Sequence, residues 1–397
     1  MKILFISALM PYPLHSGGQV RVYNLLSRLS RNHEITLVTF LRDLSEKRFE
    51  ENLSFCKKII TVYRGHAWQP GYVIRSLLGT KPLLMVSYDH EELRQEIAKE
   101  LAMGNYDLVH IEPWYVWPSM PRTDVPVVAS THNIEYEVYT EFVRRLRVLA
   151  LRPGYYWDVI KLRYWEEKIW KLSSRVVSVS EDDARVIRNH VGSRPVVSVV
   201  PNGVDVTSFR FTIRKRKRQP VFLFVGSFAW MQNRDALSWL MKSIWPILRR
   251  RYPGSSMRIV GRSLPIGLRS VVQREQAVLL EDVENINEEF QHADILLAPI
   301  RVGGGTSFKV LEAMASGLPV VTTPLGAAGL NVSHGQELLI GQTADEIVAL
   351  VDKLITLPKM YREMARKARK TIERDYAWEN IATSLDRLWY ETAKNHS

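Results

Sequence analysis

Cysteine is nearly absent: Cys56 is the single one in 397 residues. One thiol cannot build a disulfide framework or a cysteine-based metal site, and it is compatible with a reducing compartment. Long apolar runs are missing as well. None reaches the ~18–20 residues needed to span a bilayer. The N-terminal MKILFISALMPYP places Lys2 ahead of an apolar run, as a signal peptide does. That run is short, ends at Pro11 and lacks a small-residue cleavage site, so it reads as a first strand. Neither G-x-G-x-x-G nor G-x-x-x-x-G-K-[ST] occurs, so no dinucleotide fingerprint or P-loop is indicated. No short-period repeat appears.

What is present is an ordinary soluble composition, 46% hydrophobic and 24% charged, on a chain long enough for two domains. The net charge of +12 points to anionic partners without choosing among nucleotide, lipid head group and nucleic acid.

The most informative stretch runs from Asp294 to Val321. A buried-strand run, Ile295 to Pro299, leads into Gly303-Gly304-Gly305, and Thr306 or Ser307 then opens a helix carrying Lys309 and Glu312. Gly317-Leu318-Pro319 stops that helix, and Val320-Val321 begins another strand. Strand, glycine turn, helix, strand is the βαβ unit of a parallel sheet. Two readings stand: a plain helix-entry turn, or a loop whose free N–H groups and helix dipole hold a phosphate.

The same grammar fills the chain. Lys2–Ser7 and His33–Phe40 are strands around a helix from Val20 to Leu29, with Gly17-Gly18 at its entry. Ser45 to Phe55 reads as a charged helix. Tyr106–Ile111 and Val125–His132 are strands that end in polar clusters, His110-x-Glu112 and His132-Asn133-x-Glu135. Carboxyl ends of strands are where ligands sit in open α/β sheets. Phe142 to Leu172 is basic and aromatic and is divided into two helices at Pro153-Gly154. It is either a hairpin packed into the core or a surface for anionic lipid. Ser180 is a helix cap. Arg214 to Arg218 reads as a solvated linker, and no nucleic-acid module accompanies it. The pattern restarts at Val221–Val225, followed by a helix Ala236–Arg251. Two doubly wound domains with a boundary near residues 205–219 are expected.

Several ordered motifs resemble the retaining, family 4 glycosyltransferases of the GT-B fold. They are Gly303 to Val321, Ser180-x-x-Asp183, Pro201-Asn202-Gly203-Val204-Asp205, the Val225-Gly226 strand end and Trp378-Glu379-Asn380. The resemblance implies two facing Rossmann-like domains: an acceptor side over 1–205, a basic linker over 206–219, and a nucleotide-sugar side over 220–375. A helix over 376–397 would return to the first domain. It implies that Glu312 binds the ribose and that the amides of Ser307 and Phe308 face the diphosphate. Gly17 and Gly18 would close over the same phosphates, and Gly226, Gly305 and Thr306 belong to the donor side. His110, Glu112 and His132 would lie near the reacting sugar as catalytic groups.

Two departures from the family pattern stand out. Gly304 occupies the place of the first glutamate of Glu-x7-Glu. Asn233 takes the usual lysine's place, leaving Arg234 or Lys309 to supply positive charge. With no DxD pair, the diphosphate is expected to be stabilised by helix amides and cations, with no metal and no cofactor beyond the UDP- or GDP-linked sugar itself. The implied acceptor is a glycan or lipid-linked glycan. The implied setting is polysaccharide biosynthesis in the cytoplasm, as a peripheral protein at the inner membrane face, with no nucleic-acid partner. A GT-B sugar-nucleotide 2-epimerase and a degenerate, non-catalytic module are the alternatives.

Overall fold

The computed structural model describes residues 1–66, 69–144, 146, 148–214, 219–303 and 305–396. The chain divides into two compact units, Met1–Pro201 with Ile381–Ser397, and Asn202–Asn380. The division falls a few residues ahead of the expected boundary.

The first unit is a seven-stranded sheet. Its strands are β1 (Lys2–Ser7), β2 (Glu34–Leu41), β3 (Lys58–Tyr63), β4 (Leu108–Glu112), β5 (Val127–Thr131), β6 (Arg175–Ser178) and β7 (Val196–Val199). Their order is β3-β2-β1-β4-β5-β6-β7, every pairing parallel. The second unit has six strands: β8 (Val221–Ser227), β9 (Ser256–Arg262), β10 (Val278–Glu281), β11 (Ile295–Ala298), β12 (Val320–Thr322) and β13 (Leu339–Ile340). They run in the order β10-β9-β8-β11-β12-β13, again all parallel. Strands such as LFI of β1 and ILLA of β11 are buried throughout. Helices cover both faces of a parallel sheet, so alternation is lost and apolar runs remain. The strand order reverses between β1 and β4, and again between β8 and β11. These are the switch points at which α/β sheets bind ligands.

The helix Trp378–Lys394 begins in the second unit and ends in the first. Trp389 on it is fully buried and meets Phe5 of β1 edge-on at 6.5 Å. Asp386 reaches buried His33 at 2.5 Å. Within the second unit its two ends run side by side: Val204 bridges Ala377, and the Val204 amide donates to the Tyr376 carbonyl at 2.8 Å.

One local expectation holds and three change. The basic, aromatic stretch is divided into two helices, Glu135–Arg144 and Arg152–Leu172, with Pro153 in the first turn of the second. A proline's missing N–H is harmless in a first turn and disruptive further in. The charged stretch Leu44–Leu53 is wound as 3-10 turns. The helix expected over Ala236–Arg251 starts earlier, at Met231, and widens to a π turn over Leu240–Ile244 just ahead of Pro246. Arg214 is not a solvated linker residue: its guanidinium donates to the carbonyls of Thr212 (3.0 Å), Gln291 (3.3 Å) and Phe290 of the second unit. Residues 215–218 lie outside the described residues.

Candidate functional site

In the first unit the polar cluster forms at the β1/β4 switch point. Glu112, last residue of β4, is wholly buried. Its Oε1 accepts from Arg21 Nε at 2.6 Å and pairs with His132 Nε2 at 2.6 Å; its Oε2 pairs with His110 Nε2 at 2.9 Å. Burial opposes the carboxylate charge. The Arg21 guanidinium and the two histidine hydrogen bonds outweigh it and hold Glu112 well below the usual carboxylate range.

The tautomer of His110 follows from its neighbours. Trp389 Nε1 donates to its Nδ1 at 3.0 Å, so the ring proton sits on Nε2 and is offered to Glu112. Burial lowers its basicity and keeps the ring neutral, stacked on Phe5 at 4.6 Å. Ser130 Oγ lies 3.1 Å from the same Nε2.

The three residues expected to be catalytic therefore do meet, but they do not share one role. His110 and Glu112 are fully buried, whereas the His132 side chain is 22% exposed. Of the three, His132 alone presents side-chain surface to solvent, and Glu112 holds it from within the fold. Gly18 packs beside it: a Cβ there would stand 3.9 Å from His132 Cε1. Gly17 is the first residue of the helix Gly17–Leu29, behind Ser16. Arg21 Nη1 also donates to the Pro201 carbonyl at 2.8 Å, which ties the Pro-Asn-Gly motif to the same cluster. Ser180 caps its helix as expected, its Oγ accepting from the Asp183 amide at 3.1 Å.

In the second unit the other cluster forms at the β8/β11 switch point. Gly303 and Gly305 hold φ of +115° and +72°, values that strain any side chain. Gly304 lies outside the described residues. Ser307 precedes the helix Phe308–Ala315, whose first amides have no intrahelical acceptor. Thr306 is buried, and among the described residues its Oγ1 has no hydrogen-bond partner. Buried hydroxyls nearly always have one, so this atom marks an incomplete site.

The ammonium of Lys309 donates to Asn233 Oδ1 at 2.6 Å and sits 4.7 Å over the Phe224 ring. Asn233 Nδ2 in turn donates to the Ser227 carbonyl at 2.8 Å. Gly226 makes room for that amide, since a Cβ there would come within 2.8 Å of Asn233 Cγ. Arg234 is exposed on the helix Met231–Trp239. Burial pulls Lys309 down to about 7 against the opposing effect of Glu312. Burial likewise pushes Glu312, one turn on, up to about 7 against Lys309. The lysine nitrogen therefore lies against the side chain of Asn233.

Residues 15–208 match the model of Glycosyltransferase Family 4, and residues 219–359 match Glycosyl transferases group 1. The chain belongs to these glycosyltransferases. A 44.6 kDa protein in the cps region of Klebsiella pneumoniae is 22% identical over 97% of this chain and 98% of its own. The D-inositol 3-phosphate glycosyltransferase of Rhodococcus erythropolis is 24% identical over 77% of this chain and 72% of its own. Sucrose-phosphate synthase from Thermosynechococcus elongatus superposes with a TM-score of 0.76 at 17% identity, over the whole of both chains. HepE of Anabaena, solved with UDP and glucose, gives 0.67 at 14%, covering 98% of this chain and 99% of that one. The two units are thus those of a GT-B glycosyltransferase.

Two residues of this glycosyltransferase escaped the sequence reading. Arg21, the cation that fixes Glu112, sits on the apolar face of its helix beside Val22 and Leu25, and a charged residue at a core position was the available signal. Trp389 sets the His110 tautomer from 279 residues away, and nothing in the sequence links the two.

Proposed function

We propose that the chain is a retaining, metal-independent glycosyltransferase that moves a sugar from a UDP- or GDP-linked donor to a glycan or lipid-linked acceptor. The carrying observation is the Lys309–Asn233 contact beneath the glycine loop, beside the unpartnered Thr306 hydroxyl. Sugar transfer releases a diphosphate, and its growing charge needs cations and preset N–H donors. Lys309 and the amides at Ser307 and Phe308 answer that need, while Glu312 accepts from the ribose hydroxyls. The first unit takes the acceptor. There Glu112 pairs with Nε2 of His132, leaving Nδ1 to face a sugar hydroxyl. The diphosphate itself takes the acceptor proton as the new bond forms on the face the old bond leaves, so no carboxylate nucleophile is required. Gly304 in the glutamate's place is compatible with that route.

A peripheral seat at the cytoplasmic membrane face, in cell-surface polysaccharide or glycoconjugate synthesis, completes the reading. Trp157, Ile160 and Tyr164 follow one another at helical spacing on the helix Arg152–Leu172 and are 53%, 59% and 59% exposed. Lys168 and Lys171 extend the same stripe and are exposed. Aromatic and aliphatic groups next to lysines suit an anionic lipid surface. No helix among the described residues is long and apolar enough to cross a membrane.

The test is a donor panel with product analysis. Turnover or hydrolysis of one UDP- or GDP-sugar, with the anomeric configuration kept by NMR, is the expected result. An inverted product would remove the retaining mechanism. Absence of any nucleotide response in a thermal-shift screen would favour a non-catalytic module.

A further inference from the structure

Arg64 follows β3, at the carboxyl edge of the first sheet. It is 4% exposed. Its guanidinium lies 4.2 Å over the Tyr88 ring and 5.9 Å from that of Phe40, the latter near the end of β2. Nη1 reaches the Ser87 carbonyl only at 3.5 Å, and Nε has no hydrogen-bond partner among the described residues. Among the described residues no carboxylate pairs with it. Arg21, equally buried a few strands away, shows the usual alternative: it meets Glu112 at 2.6 Å. A guanidinium taken out of water without a counter-ion costs several kcal/mol, so evolution rarely leaves one unpaired without use.

The surroundings lead toward the candidate reacting centre. Tyr88 packs at 4.9 Å on Tyr115, a partly exposed residue just beyond β4. His132 lies one strand further, just beyond β5. From β3 to β5 is four strand spacings, or about 19 Å along the carboxyl edge. His90, partly exposed, meets Tyr72 Oη at 3.2 Å and packs edge-on against Phe40 at 5.1 Å. Burial and then the Arg64 charge lower its basicity, with Arg75 acting in the same direction and Asp89 against it.

We propose that Arg64 is the anion-binding end of the acceptor site, and that the acceptor is an acidic glycan whose carboxylate or phosphate pairs with this guanidinium beside His90. This rests on the reading of the first unit as the acceptor side. The planar fork of arginine matches either anion, and an aromatic base under it keeps the fork oriented. The reacting hydroxyl would then lie several sugar residues away, toward His132, so the contact selects the acceptor without entering the chemistry.

The experiment titrates the full-length protein, saturated with UDP so that the donor side is filled. Its probes are methyl glucuronide, glucose 1-phosphate and neutral methyl glucoside. At least one acidic probe should bind on the order of tenfold more tightly than the neutral one, the range of one charge-assisted contact. Arg64→Met should erase that preference while its response to UDP stays as in the parent, and Arg64→Lys should recover part of it. In the parent protein the acidic probe should also raise the NMR-detected pKa of His90, which a merely structural Arg64 would not cause. Preference for the glucuronide alone assigns a uronic acid, and preference for the phosphate alone a phosphate-bearing glycan. Equal binding of acidic and neutral probes, an unmoved His90, or a preference that survives in Arg64→Met would overturn the proposal. A protein that ignores UDP yet prefers the acidic probe would break the donor reading and leave Arg64 standing.

Discussion

The two candidate clusters occupy the same topological place in two similar sheets, yet their electrostatics are opposite. At the β1/β4 switch point, Glu112 is buried and fully served by Arg21, His110 and His132. At the β8/β11 switch point, Lys309 and Glu312 are poorly compensated, each brought to about 7, and Thr306 has an open hydroxyl. The first cluster is finished by the fold. The second is left for a ligand to finish. A preorganised positioning device can be closed, but a binding site must keep polar groups whose partners arrive with the substrate.

The largest effect that could break this contrast is loss of Glu112. Glu112→Ala strands the Arg21 charge and should cost about 3–5 kcal/mol of stability, read by chemical denaturation. A loss below about 1 kcal/mol would show that the cluster is not the closed device described. Trp389→Ala should cost a similar ~3–5 kcal/mol by opening a core cavity, and Trp389→Phe should separate packing from the lost hydrogen bond to His110.

In the second unit the expectation is reversed. Lys309→Met should leave stability unchanged or slightly raised, because a buried, weakly compensated cation disappears. Nucleotide-sugar binding should weaken about 10–100-fold, or roughly 1.4–2.8 kcal/mol. Glu312→Ala should raise the nucleotide-sugar KM by about tenfold or more through lost ribose contacts. Unchanged turnover and binding in that variant would refute the site assignment.

The pH dependence sharpens the same comparison. The folded-state pKa of Lys309 is depressed to about 7, so binding that requires its charge is strongest below 7. Affinity for a nucleotide sugar, whose diphosphate does not titrate here, should fall as pH rises through 7 toward 8, by at most about tenfold per unit. Lys309→Met should give a flat profile. Stability responds in two directions. Glu312, raised to about 7, contributes stability that is fully present below its unfolded value of 4.5 and lost as pH rises to about 7. Lys309, lowered from 10.5, contributes stability present only at higher pH. The smallest expected effect lies at the surface. Trp157→Ser with Ile160→Ser should reduce co-sedimentation with anionic vesicles several-fold and leave stability within about 0.5 kcal/mol.

Much of the frame was legible in the residues because its causes are local. Apolar strand runs, the 3.6-residue period of the helices and the stops at Gly317 and Pro319 depend on near neighbours, and so does the glycine loop with its two positive φ values. Pro153 marked the division between two helices, but where the first of them ends, at Arg144, depends on packing against the helix Arg152–Leu172.

The sequence by itself determined two doubly wound α/β domains, the loop at 303–307 and the polar strand ends at His110, Glu112 and His132, since propensity, periodicity and turn chemistry act over a few residues. Only tertiary structure decided that Glu112 is charged and closed, that Trp389 fixes the His110 proton and that Lys309 stands against Asn233. Only tertiary structure, too, left Arg64 without a carboxylate among the described residues. Charge state and hydrogen-bond direction depend on burial and on partners up to 279 residues away, and no local pattern encodes either.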